Sequence, residues 1–217
     1  MTKVNHTLRE IKKAKTKLSL YTAALELMQD KMFHEVMLEQ ICREAEVSKV
    51  TFFKFFPQKE DMLVYFMRIW LTKRIIEIEE RGLTGFDTVR LLLRAVAEQA
   101  EQMPGMMPSL IAFLSQMKMH PRMPELSEAE VELLFPGQEA QGRRSPNMHE
   151  LFLQAMQEAQ QEEQLRPYMV PEDAAKLLFT IFYGGYLTAQ QYNARDILGY
   201  YELHLRWLEQ PQEVEQG

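Results

Sequence analysis

The stretch MLEQICREAEVSKVTFFKFF, Met37 to Phe56, decides the fold. Its first half places Leu38, Ile41, Cys42 and Ala45 at helical spacing and ends at Ala45. Its second half puts Phe52 and Phe56 one turn apart and is stopped by Pro57. Glu46, Val47 and Ser48 join the two, and Ser48 suits the N-cap of the second helix. Two short helices with so short a link predict a helix-turn-helix, with Val47 in the corner and Phe52 and Phe56 as anchors. Lys49, Thr51, Phe53 and Lys54 then fall on the outer face, a set of cations, a hydroxyl and an aromatic edge that suits a major groove. Lys59 is expected near a phosphate at the next helix start, where Gln58 is the candidate cap and Glu60 and Asp61 oppose an anion. Many tight helical corners never touch nucleic acid, so spacing by itself leaves both readings open.

Outward from this corner nearly every segment has helical periodicity, and no alternating strand pattern appears. Leu20, Ala24, Leu27 and Met28 form a stripe upstream. Downstream, a long helix over about 60–81 closes at Gly82 and Gly85. Helices follow over about 87–102, 108–119, 127–135, 148–164, 171–192 and 194–208. Residues 136–147, PGQEAQGRRSPN, read as a loop, and 209–217 as a polar tail. The fold class is all-α.

The chain has 217 residues, of which 46% are hydrophobic and 26% charged, which excludes a disordered chain. No apolar run approaches the roughly 18 residues of a membrane span. The polar, basic start through Lys17 does not read as a secretory signal, and Asn5-His6-Thr7 as a glycosylation sequon means nothing without one. One cysteine, Cys42, cannot form an internal disulfide, so a cytoplasmic location is the simplest expectation. Residues 1–75 hold 14 Lys and Arg against 9 Asp and Glu, a net +5, whereas the rest hold 11 against 22, a net −11. A basic third on an acidic body suits contact with a polyanion, although a solvated charged surface would look alike.

The runs LYTAALELMQDKMF (20–33) and LEQICREAEVSKVTFFKFFPQKEDML (38–63) resemble the DNA-binding domain of the TetR/AcrR family of transcriptional regulators. Ala23-Ala24, Phe33, Ile41-Cys42, Ala45-Glu46-Val47-Ser48, Thr51, Phe53, Phe55, Phe56, Lys59, Glu60 and Leu63 carry the resemblance in order and spacing. Met32, Glu46 and Val50 stand where the family often has Gly, and Met37 where it has a Thr cap. A left-handed backbone at Met32 or Glu46 would cost about 1 kcal/mol relative to Gly.

The resemblance implies a three-helix DNA-binding domain over 12–62, with its motif at about 37–56. A helical effector-binding and dimerisation domain over 63–208 would follow. It implies a homodimeric repressor on a double-stranded operator, released by a small apolar ligand. Ser48, Lys49, Val50, Thr51, Phe53, Lys54, Phe55 and Lys59 would make the DNA surface, and Lys12, Lys13, Lys15 and Lys17 a basic arm. Phe53 and Phe55 stand where the family often has hydroxyl or imidazole donors, so their contacts reduce to packing.

Methionines cluster at Met103, Met106, Met107, Met117, Met119 and Met123. With Tyr65, Phe66, Trp70 and Phe113 they read either as core or as the lining of an apolar effector pocket, centred on Met103, Met107 and Met117. The helices over 148–164 and 171–192 resemble the family's dimerisation pair, with Phe152, Met156, Phe179, Phe182, Tyr183, Gly184 and Tyr186 as candidate interface residues. The alternative is packing within one subunit.

An enzyme is the main rival class. The five histidines are scattered, His149-Glu150 lacks the second His of a zinc-protease motif, and no phosphate loop, dinucleotide fingerprint or nucleophile elbow is present. No catalytic residue, metal or cofactor is expected. A helical interaction protein that has lost DNA binding is the third class, motivated by Glu46 and Val50.

Overall fold

Thr7 starts the first helix by accepting the Glu10 N–H at 3.2 Å, while the Glu10 carboxylate takes the Thr7 N–H at 2.8 Å. This reciprocal cap begins α1 (Leu8–Met28), so the expected basic arm is helical from Leu8 onward. The computed structural model describes residues 6–29, 31–117, 121–194 and 196–211. Met119, His120 and the last six residues of the expected tail lie outside them.

The fold is all-helical, and no strand forms among the described residues beyond one isolated pairing of Leu165 with Glu209. After α1 come a single 3₁₀ turn (Phe33–Glu35), α2 (Leu38–Glu44), α3 (Lys49–Phe55), α4 (Asp61–Arg81), α5 (Gly85–Gln102) and α6 (Met106–Ser115). Then follow α7 (Glu128–Leu134), α8 (Glu139–Arg143), α9 (Met148–Gln161), α10 (Pro171–Thr180), α11 (Tyr186–Gln191) and α12 (Ile197–Leu205). Two packing units divide the chain, Met1–Ile76 with Ala100–Pro146, and Glu77–Gln99 with Asn147–Gly217. They partition the chain differently from the 12–62 and 63–208 division drawn by resemblance.

In the first unit α1 packs on α2, α3 and α7 around Leu20, Ala24, Met28, Ile41 and Phe52. The start of α6 lies against the chain after α1. A Cβ on Gly105 would sit 1.8 Å from the Lys31 carbonyl oxygen, so only Gly permits this approach. The Phe33 N–H donates to Ser109 Oγ at 2.8 Å in the same place. Residues 136–147 are not the expected loop. They contain α8, whose buried Gly142 is pressed against Phe135 and Val131. A short run rich in Gly, Pro and Arg hid this turn of helix from periodicity.

In the second unit α9 packs on α10, and the alanines Ala155 and Ala159 of α9 and Ala174 and Ala175 of α10 are fully buried. The helix expected to run unbroken over 171–192 is interrupted by a π turn at Ile181–Gly185. The Tyr201 hydroxyl donates to the Phe182 carbonyl there at 2.9 Å, and a Cβ on Gly185 would press on the Tyr201 ring at 3.1 Å. Arg90 on α5 reaches Glu202 at 3.1 Å and Glu209 at 3.0 Å, tying this unit's ends together.

Candidate nucleic-acid interface

The corner between α2 and α3 is set by backbone geometry. The Ala45 N–H donates to the Ile41 carbonyl at 3.0 Å and the Val47 N–H to Cys42 at 2.8 Å, with Glu46 between them left-handed at φ 54°. Glu46 therefore does occupy the conformation where Gly costs least. Met32 does not, since its φ is −73°, and the left-handed residue near that end of α1 is Gln29 at φ 43°. Met37 lacks a capping side chain, and the Gln40 side chain accepts its N–H at 3.3 Å instead.

Ser48 caps α3, its hydroxyl accepting the Thr51 N–H at 3.2 Å and lying 3.0 Å from the Thr51 hydroxyl. Phe52 and Phe56 are buried, with ring centroids 5.6 Å apart, and Phe56 meets Tyr65 edge-on. Val47 is half-buried. These contacts turn the other side of α3 outward. Lys49, Val50, Phe53 and Lys54 are exposed, Val50 by 69% and Phe53 by 48%, while Thr51 and Phe55 are half-buried. Lys49 forms an exposed ion pair with Glu39 of α2, and its ammonium holds the Glu39 carboxyl below the ordinary range. Lys12, Lys13 and Lys15 are exposed on α1.

Two expected DNA cations are placed elsewhere. The Lys59 ammonium donates to the carbonyls of Phe33 and Val36, each at 2.9 Å, and of His34 at 3.4 Å, and it lies over the Phe33 ring. Burial pushes its pKa down. It thus caps the 3₁₀ turn, since three carbonyls at a turn's end present negative dipole to a cation. Lys17 is nearly buried and pairs with Glu130 at 2.7 Å over the Tyr65 ring, so it is not part of a basic arm. At the start of α4 the Gln58 N–H donates to the Asp61 carboxylate at 2.8 Å. The Cys42 thiol is buried and its pKa raised by burial, which suits a small core residue.

The candidate effector residues lie in the same unit. Tyr65, Phe66 and Met107 are buried, Trp70, Met103 and Phe113 half-buried, and Met117 exposed. Tyr65 is committed to a polar cluster, its hydroxyl donating to Glu130 at 2.7 Å. Burial alone would raise the Glu130 carboxyl, but Lys17, Ser127 and Tyr65 outweigh it and hold its pKa low. Sequence reasoning missed this cluster and its neighbour Arg68, a cation set inside the apolar run MLVYFMRIWL. That lone charge was the available signal.

Of the candidate dimer residues, Phe152, Met156, Phe182 and Tyr186 are sealed inside the second unit. They belong to its core because α9, α10 and the π turn pack on each other. Phe179, Tyr183 and Gly184 are half-buried, and Leu177 on α10 and Leu187 on α11 are exposed. A Cβ on Gly184 would meet only Thr180, at 4.0 Å. Among the described residues no helix is long and apolar enough to cross a membrane.

Residues 20–66 match the family model of the bacterial regulatory proteins of the tetR family. No curated protein matches the sequence significantly. Among solved structures, the reduced form of E. coli NemR is similar at 20% identity and a TM-score of 0.60, covering 92% of this chain and 99% of that one. Thermus thermophilus FadR, a TetR-family transcriptional repressor in complex with lauroyl-CoA, is similar at 22% identity and 0.58, covering 88% and 91%. The TetR-family protein CprB from S. coelicolor is similar at 15% and 0.57, covering 93% and 92%. At these identities the likeness is one of fold. The chain thus carries a match to the tetR-family helix-turn-helix domain over residues 20–66, on an all-helical fold like that of TetR-family proteins.

Proposed function

We propose that this protein is a DNA-binding transcriptional regulator, a homodimeric repressor whose release from its operator is driven by a small apolar ligand. The observation that carries the reading is the outward face of α3, where Lys49, Val50, Phe53 and Lys54 are exposed, with the half-buried Thr51 among them, on a helix anchored by Phe52 and Phe56. A protruding helix with cations at its start and end fits a major groove, and a two-fold dimer would present two of them about one helical turn of DNA apart. Ser48 and Phe55 flank this face, and Lys12, Lys13 and Lys15 add charge for phosphates. The half-buried and exposed residues Phe179, Tyr183, Gly184, Leu177 and Leu187 are the assigned dimer face, with Gly184 permitting close helix approach. Phe66, Trp70, Met103, Met107 and Phe113 are the assigned surroundings of the effector, in the unit that also holds α1–α3. The reading carries no catalytic step, no metal and no cofactor, and places the protein in the cytoplasm.

A second reading is a helical interaction protein of this fold. The internal engagement of Lys17 and Lys59 favours it, because both cations are withdrawn from the DNA side. Gel shifts with duplex fragments from the region upstream of the protein's own coding sequence separate the two. The regulator forms a specific, salt-sensitive complex, whereas the interaction protein forms none.

A further inference from the structure

We infer that Arg68 is the anion receptor of the effector site and that the effector is an apolar molecule bearing one carboxylate. The inference rests on the effector reading above and narrows it. Arg68 on α4 is only 1% exposed. Its guanidinium donates to the Thr72 hydroxyl one turn on and to the Gly142 carbonyl of α8 at 2.7 Å. Its Nε is buried with no hydrogen-bond partner. Among the described residues no carboxylate forms an ion pair with it, and the acid of the adjoining network, Glu130, is already paired with Lys17. A guanidinium has five donors and stays charged, so a neutral carbonyl and a hydroxyl leave it under-compensated. Burial disfavours this charge and lowers the Arg68 pKa.

A ligand carboxylate supplies what the protein omits, a negative charge with charge-assisted hydrogen bonds. The rest of the ligand is apolar, because Gly142, whose carbonyl accepts from Arg68, is pressed against Val131 and Phe135. The same guanidinium holds α8, and the helix before it, α7, holds α1 through Glu130 and Lys17. An anion drawing Arg68 from Gly142 therefore acts on the segment that grips the first helix of the DNA-binding domain.

The test compares acids with their esters on the full-length protein. Decanoate, 2-naphthoate and the methyl ester of each are titrated by intrinsic tryptophan fluorescence and thermal shift, for wild type, Arg68→Met and Arg68→Lys. At least a tenfold preference for an acid over its ester in wild type, retained in part by Arg68→Lys and abolished in Arg68→Met with ester binding kept, is the expected result. Esters that bind wild type as well as their acids overturn the inference and leave an apolar effector standing. An acid preference that survives in Arg68→Met overturns it as well. Binding of neither acids nor esters sinks both this inference and the effector reading. Should Arg68→Met fail to fold, the wild-type pairs and Arg68→Lys decide alone.

Discussion

Lys17 of α1 and Glu130 of α7 form a nearly buried ion pair at 2.7 Å, and Tyr65 of α4 donates to the same carboxylate oxygen. One acid thus ties the first helix of the DNA-binding domain to a segment far along the chain. Ser127 completes the cage, with its N–H and its hydroxyl both donating to the other Glu130 oxygen. The ion pair is one of several contacts, with those of Gly105 to Lys31, Phe33 to Ser109 and Arg68 to Gly142, that join residues 100–146 to residues 1–76 in one unit.

Glu130→Gln is expected to destabilise the protein by roughly 3 kcal/mol at neutral pH, since it leaves Lys17 without its counter-charge. The carboxyl's pKa is lowered in the folded protein from an ordinary value of 4.5. Its contribution is therefore present above that pH and is lost as pH falls through the folded value. Urea denaturation of both proteins between pH 3 and 7, on the order of one point per half unit, checks this. The gap between them should be full at pH 6 and should close in acid.

Lys59→Met is expected to cost about 2 kcal/mol, because three carbonyls at the Phe33–Glu35 turn lose their donor. Lys49→Ala breaks only an exposed pair and should change stability by less than about 0.5 kcal/mol. Denaturant midpoints at matched slopes distinguish them. Equal losses for the two lysines would return Lys59 to the surface role expected from sequence.

Glu46→Gly should stabilise by about 1 kcal/mol, because φ is 54° there. Met32→Gly should give no such gain, because its backbone is extended. Thermal unfolding of the two single variants checks the pair.

Gly105→Ala is expected to destabilise by more than about 2 kcal/mol, since the new methyl meets a backbone oxygen that cannot swing away. Gly82→Ala has open space around it and bears only the strain of φ 60°. The comparison separates steric contact from backbone strain in one calorimetric experiment.

The helix-turn-helix was legible because local rules coincided. Ser48 caps, Pro57 terminates, and Phe52 and Phe56 sit one turn apart, all within a window where local spacing governs. The fate of Lys17 and Lys59 was not legible, because their partners lie 113 and 23 to 26 residues away and only tertiary packing brings them near. The same holds for α8, whose five residues gain stability from Val131, Phe135 and Arg68 rather than from their own pattern. Aromatic stripes at helical spacing likewise mark buried faces without saying what covers them. Tyr186 is therefore core within the unit although its neighbour on α11, Leu187, is exposed, and Phe152 on α9 is core as well.

The central claim is that the exposed side of α3 receives a DNA duplex. Fluorescence anisotropy of labelled fragments from upstream of the protein's own coding sequence, across a salt series, tests it most directly. The account predicts that one fragment binds well above random duplex, and that Lys49→Ala and Lys54→Ala each weaken binding and reduce the salt slope by about one. Binding no better than to random duplex, or binding indifferent to both substitutions, would contradict it.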